Sequence, residues 1–283
     1  MQDTPLTPAL RDRITRHTLA GGMPDVLLEE LLSAGWEESV ALDVLEQTIR
    51  EVLAQHARAH DLPEPTPVPA WVSMNDQGII DIDGQEIRVL AQMLLPRVVV
   101  LGNLLTPEEC RALIELARPR LVRSRVVDPG TGGESEHEGR TSQGMAFRRG
   151  ENALCQRIEE RIAKLLQWPV SHGEAIQVLR YAPGAQYRPH HDYFDPREAA
   201  FAPTLARGGQ RVATLVMYLN TPERGGSTTF PDVNMEVTAH AGNAVYFSYD
   251  RPHPMTRSLH GGSPVRSGEK WIATKWLRAG PHE

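Results

Sequence analysis

Cysteine is nearly absent from this sequence of 283 residues, which contains only Cys110 and Cys155. Neither belongs to a CxxC pair, so the sequence predicts neither a disulfide framework nor a cysteine-ligated zinc or redox site. We expect two ordinary reduced thiols.

An excess of positive charge is also missing. The 30 Lys and Arg residues are outnumbered by 36 Asp and Glu, which gives a net charge of -6. Proteins that bind nucleic acid need a basic field, so this class is disfavoured. The sequence also lacks the ~18 consecutive apolar residues of a membrane span, and its amino terminus does not have the charged start and apolar run of a signal peptide. We therefore expect a cytoplasmic protein without a nucleic-acid or membrane partner.

Residues 1–60 have the periodicity of helices. Pro8 and Pro24 stand at predicted first helical positions, and the Gly21-Gly22 pair ends the first helix. Apolar residues then recur at helical spacing, namely Val26, Leu27, Leu31, Leu32, Val40, Leu42, Leu45, Ile49, Val52 and Leu53. Three short helices packed together fit this pattern. They could form a partner-binding or dimerisation module, or a helical cap on the neighbouring domain, and the sequence names no partner.

A proline-rich linker is predicted for residues 61–77. The stretch DLPEPTPVPAW contains four prolines in seven residues, which favours an extended and fairly stiff connector. The larger domain is therefore placed at residues 78–283.

Strand and turn signals dominate from residue 78. GIIDIDGQEIRVL alternates and carries an Asp83-Gly84 turn, which predicts a β-hairpin, and RVVVLGNLL predicts a strand. Thr106 is a predicted N-cap for a helix, and ENALCQRIEERIAKLLQW predicts a second helix. Residues 128–139 are polar and glycine-rich, which indicates a surface loop that is either a functional lid or disordered.

Beyond Pro169 the predicted elements are short strands. They are EAIQVLRYA, RVATLVMYLN, STTF, NAVYFSY and EKWIATKWL. Short strands separated by Gly and Pro turns predict an α+β fold with a sandwich or jelly-roll core and the two helices packed outside it.

The candidate chemistry begins in YRPHHDYF, residues 187–194. Alternation along a strand would place His190 and Asp192 on one face and His191 on the other, so both could bind one metal ion. Alone, such a triplet is a weak signal, because an isolated histidine is usually an ordinary surface or core residue.

A second segment, SLHGGSPVRSGEKWIATKW, strengthens this interpretation. It supplies His260 and, ten residues later, Lys270. Two histidines and one carboxylate can bind iron(II) on one side and leave the other side open for a co-substrate and oxygen. In EKWIATKWL, alternation places Lys270 on one face with Ile272, Thr274 and Trp276, a face that is apolar apart from the lysine and the threonine. A lysine buried on that face needs an anionic partner, which a dicarboxylate could supply. The alternative is an edge strand on which Lys270 reaches solvent.

Taken together, these segments resemble the prolyl 4-hydroxylase branch of the iron(II)- and 2-oxoglutarate-dependent oxygenases, with bacterial collagen-type members the most similar. The resemblance runs from about Val98 to Arg278 and includes RTSQGMAF, RVATLVMYLNTPERGGSTTFP and LHGGSPVRSGEKWIATKWLR. Residues before 70 lie outside it. The resemblance implies a double-stranded β-helix (jelly-roll) core.

The resemblance also implies roles for particular residues. The implied iron ligands are His190, Asp192 and His260. Lys270 would hold the distal carboxylate of 2-oxoglutarate, helped by the Thr214 hydroxyl, and Tyr181 and Tyr187 would line the co-substrate pocket. As plain core residues, the two tyrosines would instead pack against the sheet. The positions that match the family's peptide groove are Arg140, Ser142, Glu174 and Trp276. Each of these also has a structural alternative, such as a core position for Trp276, an ion pair between Glu174 and Arg140, or a strand end at Ser142.

The implied activity is hydroxylation of prolyl residues in a peptide or protein, with release of succinate and CO2. Its cofactors and co-substrates would be Fe(II), 2-oxoglutarate and O2, with ascorbate as reductant, and bacterial members suggest a homodimer. Two alternatives stay open: an oxygenase that acts on another side chain or a free amino acid, and a non-catalytic binding protein on the same fold.

Overall fold

The computed structural model describes residues 6–20, 22–70, 72–123, 126–127, 134–135 and 141–282. The chain divides into two compact units, Met1–Glu64 and Pro65–Glu283. This division falls within residues 61–77. The three-part boundaries drawn from the sequence remain a prediction.

The first unit consists of helices α1 (Pro8–Leu19), α2 (Pro24–Ser33) and α3 (Glu38–Ala59). Pro8 and Pro24 lie in the first turns of their helices, as predicted, since a missing N–H costs nothing there. A small core holds the helices together and comprises Ile14, Leu27, Leu31, Ala41 and Leu45. Among the helices that the structure describes, none has both the length and the apolar character that a membrane crossing would need.

The second unit combines helices with antiparallel sheets. Its α-helices are α4 (Pro107–Ala117), α5 (Ala153–Leu166) and α6 (Ala202–Ala206). Short 3-10 turns lie at Arg118–Arg120, Val170–His172, Ala199–Phe201, Pro231–Val233 and Pro254–Thr256. The strands are β1 (Ile79–Ile82), β2 (Gln85–Met93), β3 (Arg97–Gly102), β4 (Val122–Arg123), β5 (Val126–Val127), β6 (Glu134–Ser135), β7 (Gln143–Phe147), β8 (Ile176–Tyr181), β9 (Tyr187–His190), β10 (Arg211–Tyr218), β11 (Arg224–Gly225), β12 (Thr228–Phe230), β13 (Met235–Val237), β14 (Ala244–Ser248), β15 (His260–Gly262), β16 (Val265–Ser267) and β17 (Lys270–Arg278).

The largest sheet has nine strands in the order β1-β2-β3-β14-β10-β17-β8-β7-β4. A second sheet has four strands in the order β13-β12-β15-β9, and β11-β16 and β5-β6 form two small pairs. All of these pairings are antiparallel. The structure therefore confirms a mixture of helices with antiparallel sheets in this unit.

Each face of the nine-stranded sheet buries its own core. Successive residues of β10 alternate between the two cores, with Leu215 in one and Val216 in the other, because side chains alternate across a strand. The first core includes Leu113 of α4 and Ile162 of α5, so both helices pack on this face. The second includes Phe230 of the four-stranded sheet, so the two sheets bury apolar side chains against each other.

Local sequence explains several boundaries. Asp83 and Gly84 both have positive φ, 55° and 84°, which is the requirement of the two-residue turn predicted between β1 and β2. Thr106 and Glu109 form a capping box at the start of α4.

Buried ion pairs hold the two helices in place. Arg161 of α5 binds Glu109 of α4, and Glu159 of α5 binds Lys275 of β17. Both partners of the second pair are only 2% exposed, so removing either one would leave a buried charge without compensation.

Both cysteines are free and buried. Burial raises the pKa of the Cys110 thiol and of the Cys155 thiol to about 11. Both thiols are therefore protonated at neutral pH, and we assign them to packing.

Candidate active site

Three side chains converge where β9 and β15 pair. His190 ends β9, His260 begins β15, and the two residues are direct partners in the antiparallel register. Nε2 of His190 lies 3.5 Å from Oδ1 of Asp192, and Nε2 of His260 lies 3.4 Å from Oδ2. The potential ligand atoms of all three residues lie within 4.8 Å of one another. This spacing suits three ligands on one side of a single metal ion.

Asp192 is held in this cluster by contacts other than the strand alternation that was predicted. β9 ends at His190, so Asp192 lies in the bend after the strand and is not placed by strand alternation. Contacts from the nine-stranded sheet hold it instead: Thr214 donates to its carboxylate and Arg211 to its backbone carbonyl. His191 is not part of the cluster, and its ring stacks on Tyr193.

The two imidazoles are held in the same way. Nδ1 of His190 lies 2.9 Å from the carbonyl oxygen of Arg188, and Nδ1 of His260 lies 3.0 Å from that of Ser258. A carbonyl oxygen can only accept a hydrogen bond, so each Nδ1 donates its hydrogen. In the neutral ring this leaves the lone pair on Nε2, the tautomer that binds metal ions.

Electrostatics favour the charge state that a metal site needs. Burial lowers the pKa of His260 to about 4, so this imidazole is neutral at pH 7. Burial acts to raise the pKa of the Asp192 carboxyl, but the adjacent His260, His190 and Arg211 bring it well below its usual range. A neutral His260 and an ionised Asp192, with the second imidazole of His190, match the donor set of an iron(II) facial triad.

A cavity between the two sheets connects this triad with Lys270. Eight of the site residues predicted from the sequence line this cavity: Tyr181, Tyr187, His190, Asp192, Thr214, His260, Lys270 and Trp276. Ile272 and Thr274 line it too, so the alternation predicted for β17 is confirmed. β17 lies inside the sheet, between β10 and β8, which contradicts the edge-strand alternative for Lys270.

Lys270 is a buried cation, 4% exposed, without an ion-pair partner among the described residues. Its Nζ lies 5.7 Å from the ring centroids of both Tyr181 and Tyr218. Burial lowers the pKa of the Lys270 ammonium to about 8. Because a buried cation without a counter-charge is costly, this arrangement suits an anionic ligand in the cavity.

The two predicted pocket tyrosines flank the site. Tyr181 pairs directly with Lys270 in the β8–β17 register. The ring of Tyr187 stacks on His190, with centroids 3.7 Å apart. One tyrosine therefore adjoins the lysine and the other adjoins the triad.

Thr214 has partners that the sequence did not predict. Its hydroxyl lies 2.7 Å from Oδ2 of Asp192 and 2.9 Å from the hydroxyl of Tyr249. These hydrogen bonds lie at the triad carboxylate, whereas the prediction placed the hydroxyl beside Lys270.

Two further polar side chains lie near Lys270 and were not predicted from the sequence. Tyr218, whose ring contacts the lysine, donates a hydrogen bond of 2.8 Å to Thr228, and Thr228 lines the cavity. Both residues lie in segments predicted to be strands, and no local pattern distinguished Tyr218 or Thr228 from core residues.

Of the predicted peptide-groove residues, Trp276 and Glu174 lie in different surroundings. Trp276 lines the cavity, with the Arg211 guanidinium 4.2 Å above its ring. The carboxylate of Glu174 forms ion pairs with Arg211 and Arg278. The sequence had suggested Arg140 as its partner.

The remaining groove predictions involve residues 128–142. Arg140 lies outside the described residues, as does the predicted loop 128–139 apart from residues 134–135, which form β6. Ser142 is fully buried just before β7.

Comparison with known proteins places this site in context. A family model described as the 2OG-Fe(II) oxygenase superfamily matches residues 176–278, the span from β8 to β17. Prolyl 4-hydroxylase 1 of Arabidopsis thaliana is 42% identical over 229 residues, which cover 75% of this chain and 78% of that protein. Probable prolyl 4-hydroxylase 3 of the same plant is 40% identical over 209 residues, which cover 66% and 71%.

Solved structures also include similar chains. The viral collagen prolyl hydroxylase of Paramecium Bursaria Chlorella virus-1, in its 2OG complex, is 28% identical with a TM-score of 0.49. The alignment covers 64% of this chain and 95% of the viral one.

Proposed function

This chain belongs to the prolyl 4-hydroxylase family of iron(II)- and 2-oxoglutarate-dependent oxygenases, and we propose that it hydroxylates prolyl residues in a peptide or protein. The reaction consumes the prolyl peptide, 2-oxoglutarate and O2, and it yields the hydroxyprolyl peptide, succinate and CO2. One oxygen atom of O2 enters the hydroxyl group and the other enters succinate.

The observation that carries this proposal is the presence of two complementary features in one cavity. A triad of His190, Asp192 and His260 lies beside a buried Lys270 that has no acidic partner among the described residues. A structural metal site does not require a buried free ammonium, and a plain anion site does not require the triad. An iron ion and a dicarboxylate co-substrate would satisfy both.

In this assignment the triad residues hold iron(II), which supplies the redox chemistry of the reaction when it is bound. The carbonyl groups of Arg188 and Ser258 keep the two imidazoles in the metal-binding tautomer. Lys270 neutralises the distal carboxylate of 2-oxoglutarate, and Tyr181 and Tyr187 border its pocket. The two sheets surround the cavity, which reduces the access of water to the reacting groups.

Substrate contacts belong to the proposal as well. Trp276 offers an aromatic surface to a prolyl ring, and its Nε1 donor is buried without a hydrogen-bond partner among the described residues. Arg140, Ser142 and Glu174 are proposed to border the peptide groove on the resemblance to the family. For Glu174 the role is indirect, since its carboxylate orients Arg211 beside Trp276.

Several broader features also stand as proposals. We assign the facing sheets to a double-stranded β-helix (jelly-roll), because the four-stranded sheet and the nine-stranded sheet share one apolar core. Family resemblance supports ascorbate as reductant, a homodimer and a role for Thr214 near the co-substrate, while the sequence supports a cytoplasmic location and a partner for the helices of residues 1–60.

The direct test is turnover with defined substrates. The protein would be incubated with Fe(II), ascorbate, 2-oxoglutarate and a set of proline-rich peptides, with succinate and the peptide masses as readouts. We expect succinate and, in equal amount, a peptide heavier by one oxygen atom at proline. Matched peptides with alanine for proline should give no product. Oxidation of the alanine peptides, or of a free amino acid in preference to any prolyl peptide, would contradict the proposed substrate.

A further inference from the structure

Behind the triad carboxylate lies a chain of two buried hydroxyl groups. Asp192 Oδ2 is 2.7 Å from Oγ1 of Thr214, and this oxygen is 2.9 Å from the hydroxyl of Tyr249. The exposed fractions of these residues are 7%, 1% and 1%. Water therefore has little access to the chain and cannot easily replace either hydroxyl.

The direction of these hydrogen bonds follows from the chemistry of the groups. An ionised carboxylate only accepts, and a threonine hydroxyl has a single hydrogen. Thr214 therefore donates to Asp192, and Tyr249 must donate to Thr214. Burial, together with the charge of Asp192, raises the pKa of Tyr249 well above its usual range, so its hydroxyl keeps the hydrogen that the chain needs.

The backbone explains why Asp192 needs such support. It lies beyond the end of β9, where no strand pairing restrains it. Thr214, in contrast, lies within β10, paired on one side with Phe247 of β14. Tyr249 directly follows β14, and its N–H donates to the carbonyl of Val212 in β10. Both hydroxyls therefore belong to residues in or next to adjacent strands of the nine-stranded sheet. Their hydrogen bonds connect the bend that contains Asp192 to this sheet.

We propose that Thr214 and Tyr249 are positioning residues that set the orientation of the Asp192 carboxylate for metal binding. Thr214 acts directly on the carboxylate, and Tyr249 acts through Thr214 by fixing the direction in which that hydroxyl donates. This inference rests on the proposed function, since it concerns the same metal site. It gives the Thr214 hydroxyl a role at the metal, in addition to any contact with the co-substrate.

The test uses Co(II) as a probe, measured by calorimetry and by the visible absorption spectrum of the loaded protein, with no turnover required. Thr214→Val removes the hydroxyl and keeps the shape of the side chain. We expect it to weaken Co(II) binding about 10- to 100-fold, the usual effect of losing a residue that orients a metal ligand, and to change the spectrum. Thr214→Ser keeps the hydroxyl and should restore most of the affinity.

Tyr249→Phe should weaken Co(II) binding less, by about tenfold at most, because its effect is indirect. Tyr193→Phe is the matched control: its ring makes an edge contact with Tyr249, and its hydroxyl is not part of the chain. In the Thr214→Val background, Tyr249→Phe should have no further effect, because its route to the carboxylate is already gone.

The outcomes separate this inference from the proposed function. If the unaltered protein binds Co(II) and Thr214→Val binds it equally well, the inference is wrong and the proposed function stands. Additive effects of the two substitutions, or an equal effect of Tyr193→Phe, would also overturn it. Failure of the unaltered protein to bind Co(II) or Fe(II) would overturn the proposed function and the inference together. Thermal unfolding of each metal-free variant checks that the fold is retained, and Thr214→Ser and Tyr249→Phe carry the test if Thr214→Val does not fold.

Discussion

His190 and His260 are direct partners across the β9–β15 pairing, and their ring centroids are 4.4 Å apart. Each ring is fixed by a bond from Nδ1 to the carbonyl oxygen two residues earlier in the chain. The pairing of two short strands therefore sets both the distance and the orientation of two metal ligands.

Removal of His260 should abolish metal-dependent stabilisation. A bound metal raises the free energy of unfolding by about 2.7 kcal/mol at 100 times its dissociation constant. We expect Co(II) to raise the melting temperature of the unaltered protein and to leave that of His260→Ala unchanged. His240→Ala, at an exposed position, is the control and should respond to Co(II) like the unaltered protein. An equal response in His260→Ala would exclude this histidine as a ligand.

Gly261 makes the close approach of the two ligand strands possible. A Cβ at this position would lie 2.9 Å from the carbonyl oxygen of Tyr187, a backbone atom that cannot rotate away. Gly261→Ala should therefore push β15 away from β9, weaken Co(II) binding about tenfold, and destabilise the protein by about 1–3 kcal/mol.

Gly280→Ala is the control for this effect, because its Cβ would meet no atom closer than 3.5 Å. Calorimetry with Co(II) and denaturant unfolding measure the two quantities. Unchanged metal affinity in Gly261→Ala would show that the strand separation is not critical.

We predict that the buried Lys270 lowers the free energy of unfolding, although it is needed to bind the co-substrate. Its pKa of about 8 lies below the ordinary 10.5, so the charged form is disfavoured in the folded protein. Lys270→Met should raise the free energy of unfolding at pH 7 by up to about 3 kcal/mol. It should also abolish 2-oxoglutarate binding.

The pH dependence of this gain has a definite sign. Below pH 8 both the folded and the unfolded chain carry the proton, so the gain of Lys270→Met is complete. Between pH 8 and 10.5 the unfolded chain binds more protons, which stabilises the unaltered protein as pH rises, and the gain shrinks. Denaturant unfolding from pH 7 to 10 checks this, with Lys164→Met at an exposed lysine as control. A gain that does not change between pH 7 and 10 would show that the pKa of Lys270 is not lowered in the folded protein.

Glu174 should contribute strongly to stability. Burial acts to raise its pKa, but Arg211 and Arg278 lower it to about 2. Glu174→Gln would leave two buried guanidinium groups without their carboxylate, and we expect a loss of about 3–5 kcal/mol at pH 7. Glu236→Gln, at an exposed position of β13, should change stability by less than about 0.5 kcal/mol.

This loss should also depend on pH. The carboxylate stabilises the folded protein fully above pH 4.5, and its contribution disappears as pH falls towards 2. The difference between Glu174→Gln and the unaltered protein should therefore shrink over that range, as measured by denaturant unfolding. A difference that is small at pH 7 would show that the ion pairs of Glu174 with Arg211 and Arg278 contribute little to stability.

Local pattern was sufficient to predict most secondary structure. The Asp83-Gly84 turn, the Thr106 cap and the alternation of Lys270, Ile272, Thr274 and Trp276 depend on neighbouring residues, and the structure confirms each. Asp192 shows the limit of that reasoning. Its place two residues after His190, together with the downstream segment of His260 and Lys270 and the family resemblance, identified it, but the strand that was expected to orient it ends at His190.

The sequence by itself determined which residue types were available for chemistry: two histidines and a lysine in segments that form strands, and a carboxylate just beyond the end of one of them. Only the tertiary structure decided how they are used. The pairing of β9 with β15, the cavity between the sheets, and the hydrogen bonds from Thr214 and Tyr249 to the carboxylate join residues far apart in the chain. Such contacts depend on how whole sheets pack, because a hydroxyl on one strand acquires a partner only when another sheet brings a carboxylate within hydrogen-bonding distance.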